Sequence, residues 1–125
     1  MKNDKTSLLK GHPQMQRQQL HECHGGNGAV SWTDVLNKGD LNGRRVNFIH
    51  DDILSSGVSI GLHEHTKEEE YYYIISGKGI MTLDSHDFEV TAGDITVVFP
   101  GGRHAIRNIG SDDLRLIVFN VAADV

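Results

Sequence analysis

The chain has 125 residues, of which 38% are hydrophobic and 23% charged, and a formal net charge of −5. That is enough for one domain with a real core and no disulfides. The acidic balance gives nucleic-acid binding no electrostatic support, and no apolar run approaches the ~20 residues of a membrane-spanning helix.

Residues 1–28 are polar and close with Gly25, Gly26 and Gly28. They read as an N-terminal arm, either disordered or pairing with another strand, ahead of a single domain over residues 29–125. The start carries no apolar core of signal-peptide length, and the single cysteine, Cys23, has no partner for an internal bridge. Both features lead us to expect a cytoplasmic protein. His21, Cys23 and His24 lie close together, but their spacing matches no zinc pattern. Nothing in the sequence specifies a base for Cys23 as a nucleophile. The expectation is a polar loop.

Residues 30–36 predict a short strand and residues 37–43 a turn-rich loop. In residues 44–54 alternation places Val46, Phe48 and His50 on one face. His50 is then either an interior residue beside the site or a strand cap at the surface. Residues 59–65 form the next strand, with Gly61, His63 and His65 on one face. In the strand that follows, Glu70, Tyr72 and Ile74 share a face, and Tyr71, Tyr73 and Ile75 take the other. Gly77, Lys78 and Gly79 predict a tight turn. Residues 80–83 and 88–90 pair around a tip that carries a solvated His86. Residues 95–99 are continuously apolar, a pattern expected of a strand buried on both faces. Pro100, Gly101 and Gly102 end that strand, and residues 104–108 and 114–121 complete the set. Strands recurring at roughly 8–12 residues with glycine turns, and no helix, predict an all-β sandwich or closed barrel.

The chemistry concentrates in residues 57–77. His63 and His65 leave a strand by the same face, about 6.6 Å apart along it. Two imidazoles so placed can converge on one ion at about 2.1 Å from each nitrogen. A carboxylate run, Glu68, Glu69 and Glu70, follows, and His104 offers a further imidazole. Neutral nitrogens with one anionic oxygen suit a borderline divalent metal. The spacing excludes the helical H-E-x-x-H pattern of zinc proteases.

These positions fall into two known motifs. The first, G-x5-H-x-H-x3–4-E-x6-G, is met by Gly57, His63, His65, Glu70 and Gly77. The second, G-x5-P-x-G-x2-H-x3-N, is met by Gly93, Gly101, His104 and Asn108, with Phe99 in the usual proline position and Pro100 one residue later. Over about residues 44–121 the chain resembles the cupins. The resemblance implies a double-stranded β-helix, the jelly-roll cupin barrel. It also implies one divalent transition metal per chain on His63, His65, Glu70 and His104, with Glu69 as the rival carboxylate. The ligand set does not choose among manganese, iron, nickel, copper and zinc. Four protein ligands leave two adjacent positions of an octahedral ion open to a bidentate anion, an enediol or water.

The implied function is a metal-dependent decarboxylase, dioxygenase or isomerase acting on a small oxygen-rich acid, phenol or sugar. The alternative class is a non-catalytic small-ligand-binding, sugar-binding or sensor module. Tyr72, beside Glu70, is the candidate catalytic proton or hydrogen-bond donor, and Arg103 is a candidate contact for an anion at the barrel mouth. Arg107, Glu64 and Lys67 read as surface residues. No second carboxylate stands out as a proton donor, so oxalate chemistry is not singled out. The expected partners are a small-molecule substrate or ligand, with no nucleic acid and no membrane. The resemblance also implies a homodimer, formed through a sheet face bearing Tyr71, Tyr73 and Ile75 or by exchange of an N-terminal strand.

Overall fold

Alternating β-branched, aromatic and small residues favour strands throughout this chain, and the computed structural model, which describes residues 7–123, bears that pattern out. Its ten strands are β1 (Arg17–His21), β2 (Ala29–Leu36), β3 (Val46–Leu54), β4 (Ser59–Glu64), β5 (Glu68–Ser76), β6 (Lys78–Leu83), β7 (His86–Thr91), β8 (Ile95–Val98), β9 (Arg103–Asn108) and β10 (Leu114–Ala122). They pair antiparallel in two sheets, a six-stranded one ordered β1-β2-β3-β10-β5-β8 and a four-stranded one ordered β4-β9-β6-β7. This is the expected all-β jelly roll. The core lies between the sheets, where Leu54, Ile74, Met81, Ile106, Leu114 and Leu116 are at most 1% exposed. Burying each such side chain stabilises the fold by about 1.5–3 kcal/mol.

Register places the inward residues of the large sheet in rows. Asp52, on β3, stands opposite Trp32 of β2 and Leu116 of β10, and Leu116 stands opposite Ile74 of β5. In the next row His50 stands opposite Val118, which stands opposite Tyr72. One row further, Phe48, Asn120 and Glu70 align. The large sheet thus presents an apolar floor that turns polar towards Glu70.

Several local expectations need correction. Residues 37–43 hold one turn of helix, α1 (Lys38–Leu41), because the Asn37 side chain accepts a hydrogen bond from the Asp40 amide at its start. Gly77 does not open a tight turn. It is the point where the chain leaves the six-stranded sheet and enters β6 in the other. Its φ is +85°, and a Cβ there would run into the Asp113 carbonyl. β8 is not buried on both faces. It is the edge of the large sheet, so Thr96 and Val98 point inward while Ile95 and Phe99 remain 57% and 62% exposed. Simple alternation along β4 also fails. A register shift between Ile60 and His63 inserts an extra residue, so Ile60 reaches the core and His63 still faces the site.

The N-terminal arm is ordered where it is described. β1 adds to the large sheet by pairing with this chain's own β2. Residues 1–6 of the arm, and the last two residues of the domain read over 29–125, lie outside the described residues.

Candidate metal centre

β4 and β9 are neighbours, and their register sets His63 directly opposite His104. His65 follows the end of β4 and is gripped by the glycine turn before β9: its amide donates to the Gly102 carbonyl at 3.1 Å and its carbonyl accepts from the Gly101 amide at 2.7 Å. Glu70 projects from β5 in the facing sheet. The four side chains meet. His104 Nε2 lies 3.0 Å from His63 Nε2, 3.1 Å from His65 Nε2 and 3.1 Å from Glu70 Oε1. Glu70 Oε1 lies 3.2 Å from His65 Nε2 and 3.9 Å from His63 Nε2. Glu70, His65 and His104 are 5%, 8% and 0% exposed.

The outer partners decide which nitrogens face inward. His63 Nδ1 lies 2.7 Å from the Gly61 carbonyl, which can only accept, so Nδ1 carries the proton and Nε2 turns a lone pair to the centre. His65 Nδ1 likewise donates to Glu68 Oε1 at 2.9 Å. Asn120 donates to the other oxygen of Glu70 at 2.9 Å. Two imidazole lone pairs and a carboxylate oxygen therefore converge on His104 Nε2, which can supply at most one proton. Such an acceptor cluster is satisfied by a cation. Two donors held ~2.1 Å from one ion at right angles stand ~3.0 Å apart, close to most of these spacings. The four residues fit one metal ion, their donor atoms all lying within 4.8 Å of one another.

Charge in the cluster is strongly coupled. Burial alone would raise the Glu70 carboxyl, but hydrogen bonds with His104, His63, His65 and Asn120 hold it far below the usual carboxylate range. The hydrogen bond to Glu70 works against burial at His65 and, with help from Glu68, lifts it to about 9. Burial pushes His104 the other way, below its ordinary value.

The remaining expected residues are dispersed. Glu69 points away from the cluster and accepts a 2.5 Å hydrogen bond from the Tyr71 hydroxyl. Tyr72 is 2% exposed, with its ring 4.6 Å from that of His104, and burial first and then the Glu70 charge push its phenol well above the ordinary value. Arg103 is exposed, and in register it faces Glu64, away from the cluster. Asn108 is a structural clamp: its amide nitrogen donates to the Leu54 and Asp112 carbonyls, and its oxygen accepts from the Gly110 amide.

Beside the cluster lies a cavity of about 160 Å³, walled by Val30, Trp32, Phe48, Ile60 and Val118 and reached by His63, Glu70 and Tyr72. His50 is in this wall, its ring stacked 4.2 Å from Phe48 and 4.5 Å from Trp32, so the interior alternative holds. Burial lowers its pKa despite the nearby Asp34 and Glu70. Of the residues expected to form a polar loop, Cys23 and His24 instead help close the cavity, while His21 ends β1 and is exposed. His24 stacks flat on His63, with centroids 3.7 Å apart, and Cys23 packs on the core. Burial first, then Asp52 and Glu70, pushes the Cys23 thiol to about 11. His24 holds a left-handed backbone, φ 51°, and a Cβ on Gly61 would strike its carbonyl. Bare backbone on β4 is what lets this turn lie so close.

Sequence reasoning passed over one further wall residue, Asp52. It lies on β3, is 7% exposed, and leaves Oδ1 without a hydrogen-bond partner. Its parity with Phe48 and His50 was the available signal. A second recess of about 440 Å³ opens on the other side of Glu70 and is lined by His65, Asn120 and Lys38 among others.

Comparison with known proteins agrees with this geometry. The family model for the cupin domain matches residues 52–120. A Thermotoga maritima protein named oxalate-binding protein is 30% identical over 112 residues, covering 90% of this chain and 92% of its own length. A Thermotoga maritima crystal structure, described as a predicted oxalate decarboxylase, superposes with a TM-score of 0.86 at 27% identity, covering 92% of this chain and 99% of the other. KdgF from Halomonas sp. shares the fold alone, with a TM-score of 0.73 at 14% identity over 95% of this chain and 97% of its own. The chain belongs to the cupin family.

Proposed function

We propose that this protein holds one divalent transition metal on His63, His65, Glu70 and His104 and uses it to act on a small oxygen-rich carboxylate, as a metal-dependent enzyme of decarboxylase or dioxygenase type. The observation that carries this reading is the set of inward lone pairs, fixed from outside by the Gly61 carbonyl and by Glu68. A bound ion of this kind supplies Lewis-acid polarisation of a ligand oxygen. The chain's own groups do the rest. Glu68 and Gly61 hold the two imidazoles in the correct tautomer, and Asn120 orients Glu70. Cys23 and His50 are pushed towards their neutral forms, so neither a thiolate nor an imidazolium at those positions adds charge to the cavity wall. A cavity of about 160 Å³ falls below the ~300–1,000 Å³ of sites for drug-sized ligands, which suits a small acid. The name of the Thermotoga relative makes oxalate the first compound to try.

Elemental analysis of protein purified from its own host without chelator or affinity resin should find about one transition-metal ion per chain. Protein containing that metal should then bind oxalate in calorimetry. Absence of metal together with absence of oxalate binding overturns the reading. Because the relative is named as a binding protein, the second reading is a carrier. Tight oxalate binding with no release of carbon dioxide selects it.

We also infer a homodimer through the outer face of β5 and β8. Tyr73, Ile75, Ile95 and Phe99 are 41–62% exposed there, a contiguous apolar face of the kind that marks interfaces. A monomeric mass by light scattering refutes it.

A further inference from the structure

We propose that Asp52 is the ligand-recognition group of the 160 Å³ cavity: its carboxyl, on β3 of the same large sheet that carries Glu70 on β5, hydrogen-bonds the far oxygen of a small carboxylate whose near end lies at the four-residue cluster. The proposal rests on the metal-site reading above and deepens it. Asp52 is 7% exposed, lines the cavity, and has one oxygen that meets no donor among the described residues. Buried carboxyl oxygens are normally satisfied, and one left without a partner beside a cavity has a ligand as its natural partner. Its surroundings narrow the ligand. Trp32 and Leu116 flank it in register, and no hydrogen bond from either reaches its buried oxygen. A ligand that satisfies both Asp52 and the cluster therefore needs oxygens at both ends, as in a short dicarboxylate or keto acid.

The charged and titratable groups around Asp52 favour its protonated form. Burial first, then Glu70 from β5 and Asp51 on its own strand, push it up to about 7, against the opposing pull of Arg17 from β1. The Cys23 thiol and the Tyr72 phenol, which also sense it, are both pushed further towards neutrality. A protonated carboxyl donates to a ligand carboxylate, where an ionised one would repel it.

The test uses full-length Asp52→Leu and Asp52→Asn proteins loaded with manganese and titrated with oxalate. Metal content should equal that of the unmodified protein in both. Asp52→Leu should bind oxalate at least tenfold more weakly, whereas Asp52→Asn, whose amide can still donate, should stay within about threefold. Equal affinity in all three proteins, or loss of metal from Asp52→Leu, overturns the proposal. A melting comparison of the metal-free proteins separates its failure from that of the oxalate reading. A group kept for a ligand costs the fold stability, so Asp52→Leu should melt above the unmodified protein even where oxalate does not bind at all. A lower melting point makes Asp52 a structural residue and overturns its recognition role.

Discussion

The wall carrying the four-residue cluster, of which His63 and Glu70 reach the cavity, and the wall formed by β2 and β3 treat buried polarity differently. On the first, three imidazoles and Glu70 converge on a shared centre, and the outer atoms of His63, His65 and Glu70 are tied to Gly61, Glu68 and Asn120, while His104 Nδ1 is buried without a partner. On the second, Trp32 and Phe48 supply apolar surface, while Asp52 Oδ1 and Asp34 Oδ1 are buried without partners. The first wall is a connected network whose parts depend on each other. The second holds single polar atoms that are not linked to one another. Damage should therefore spread on the first wall and stay local on the second.

The largest expected effect is on the first wall. Glu70→Gln removes the one anionic donor and should weaken metal binding by at least about 100-fold, because outer partners alone typically contribute 10–100-fold. Competition with a chromophoric chelator measures this. Comparable metal loss in Asp52→Asn would erase the contrast between the walls. Glu68→Gln acts one step out. It leaves every donor in place but loosens the tautomer of His65, and about tenfold weaker binding is expected by the same measurement.

The four-residue cluster was legible because strand alternation and short spacings fix it: His63 and His65 two apart, Glu70 five further on, His104 just after a glycine turn. Asp52 was less visible because it is half of an Asp-Asp pair whose members face opposite ways. Asp51 meets Arg115 outside, and only the parity with Phe48 and His50 marks Asp52 as inward. His24 could not be read at all. Its position depends on a left-handed backbone and on a close approach to Gly61, thirty-seven residues away in sequence, and neither leaves a local pattern. The apolar run of β8 misled for a related reason. Composition records that a strand is apolar but not whether it sits at the centre of its sheet or at the edge.

The walls should also separate by pH in chelator-treated protein. Asp52 binds its proton more tightly folded than unfolded, so its contribution to stability is present below its ordinary 3.8 and is lost as pH rises to about 7. The same sign applies to His65, whose contribution is present below 6.5 and disappears as pH climbs through about 9. Glu70 has the opposite sign, its contribution being lost as pH falls below the carboxylate range. Urea midpoints recorded from pH 4 to pH 10 should decline in two stages. Asp52→Asn should flatten the acidic stage and His65→Gln the alkaline one. A single decline untouched by either substitution contradicts the assignment of the two stages to two walls.

The smallest expected effect is at Tyr72, which joins the walls. Its ring packs on His104 and its row continues through Val118 to His50, so most of what it contributes is shape. Tyr72→Phe keeps the ring and removes only the hydroxyl. Metal content should be unchanged and stability should shift by no more than about 1 kcal/mol. Any oxalate turnover should change by less than about threefold. A positioned general acid contributes roughly 10²–10⁴-fold. A hundredfold loss of turnover at constant metal content and melting point would therefore give Tyr72 the catalytic role that the sequence pattern suggested, and would move the working proton from the β2–β3 wall to β5.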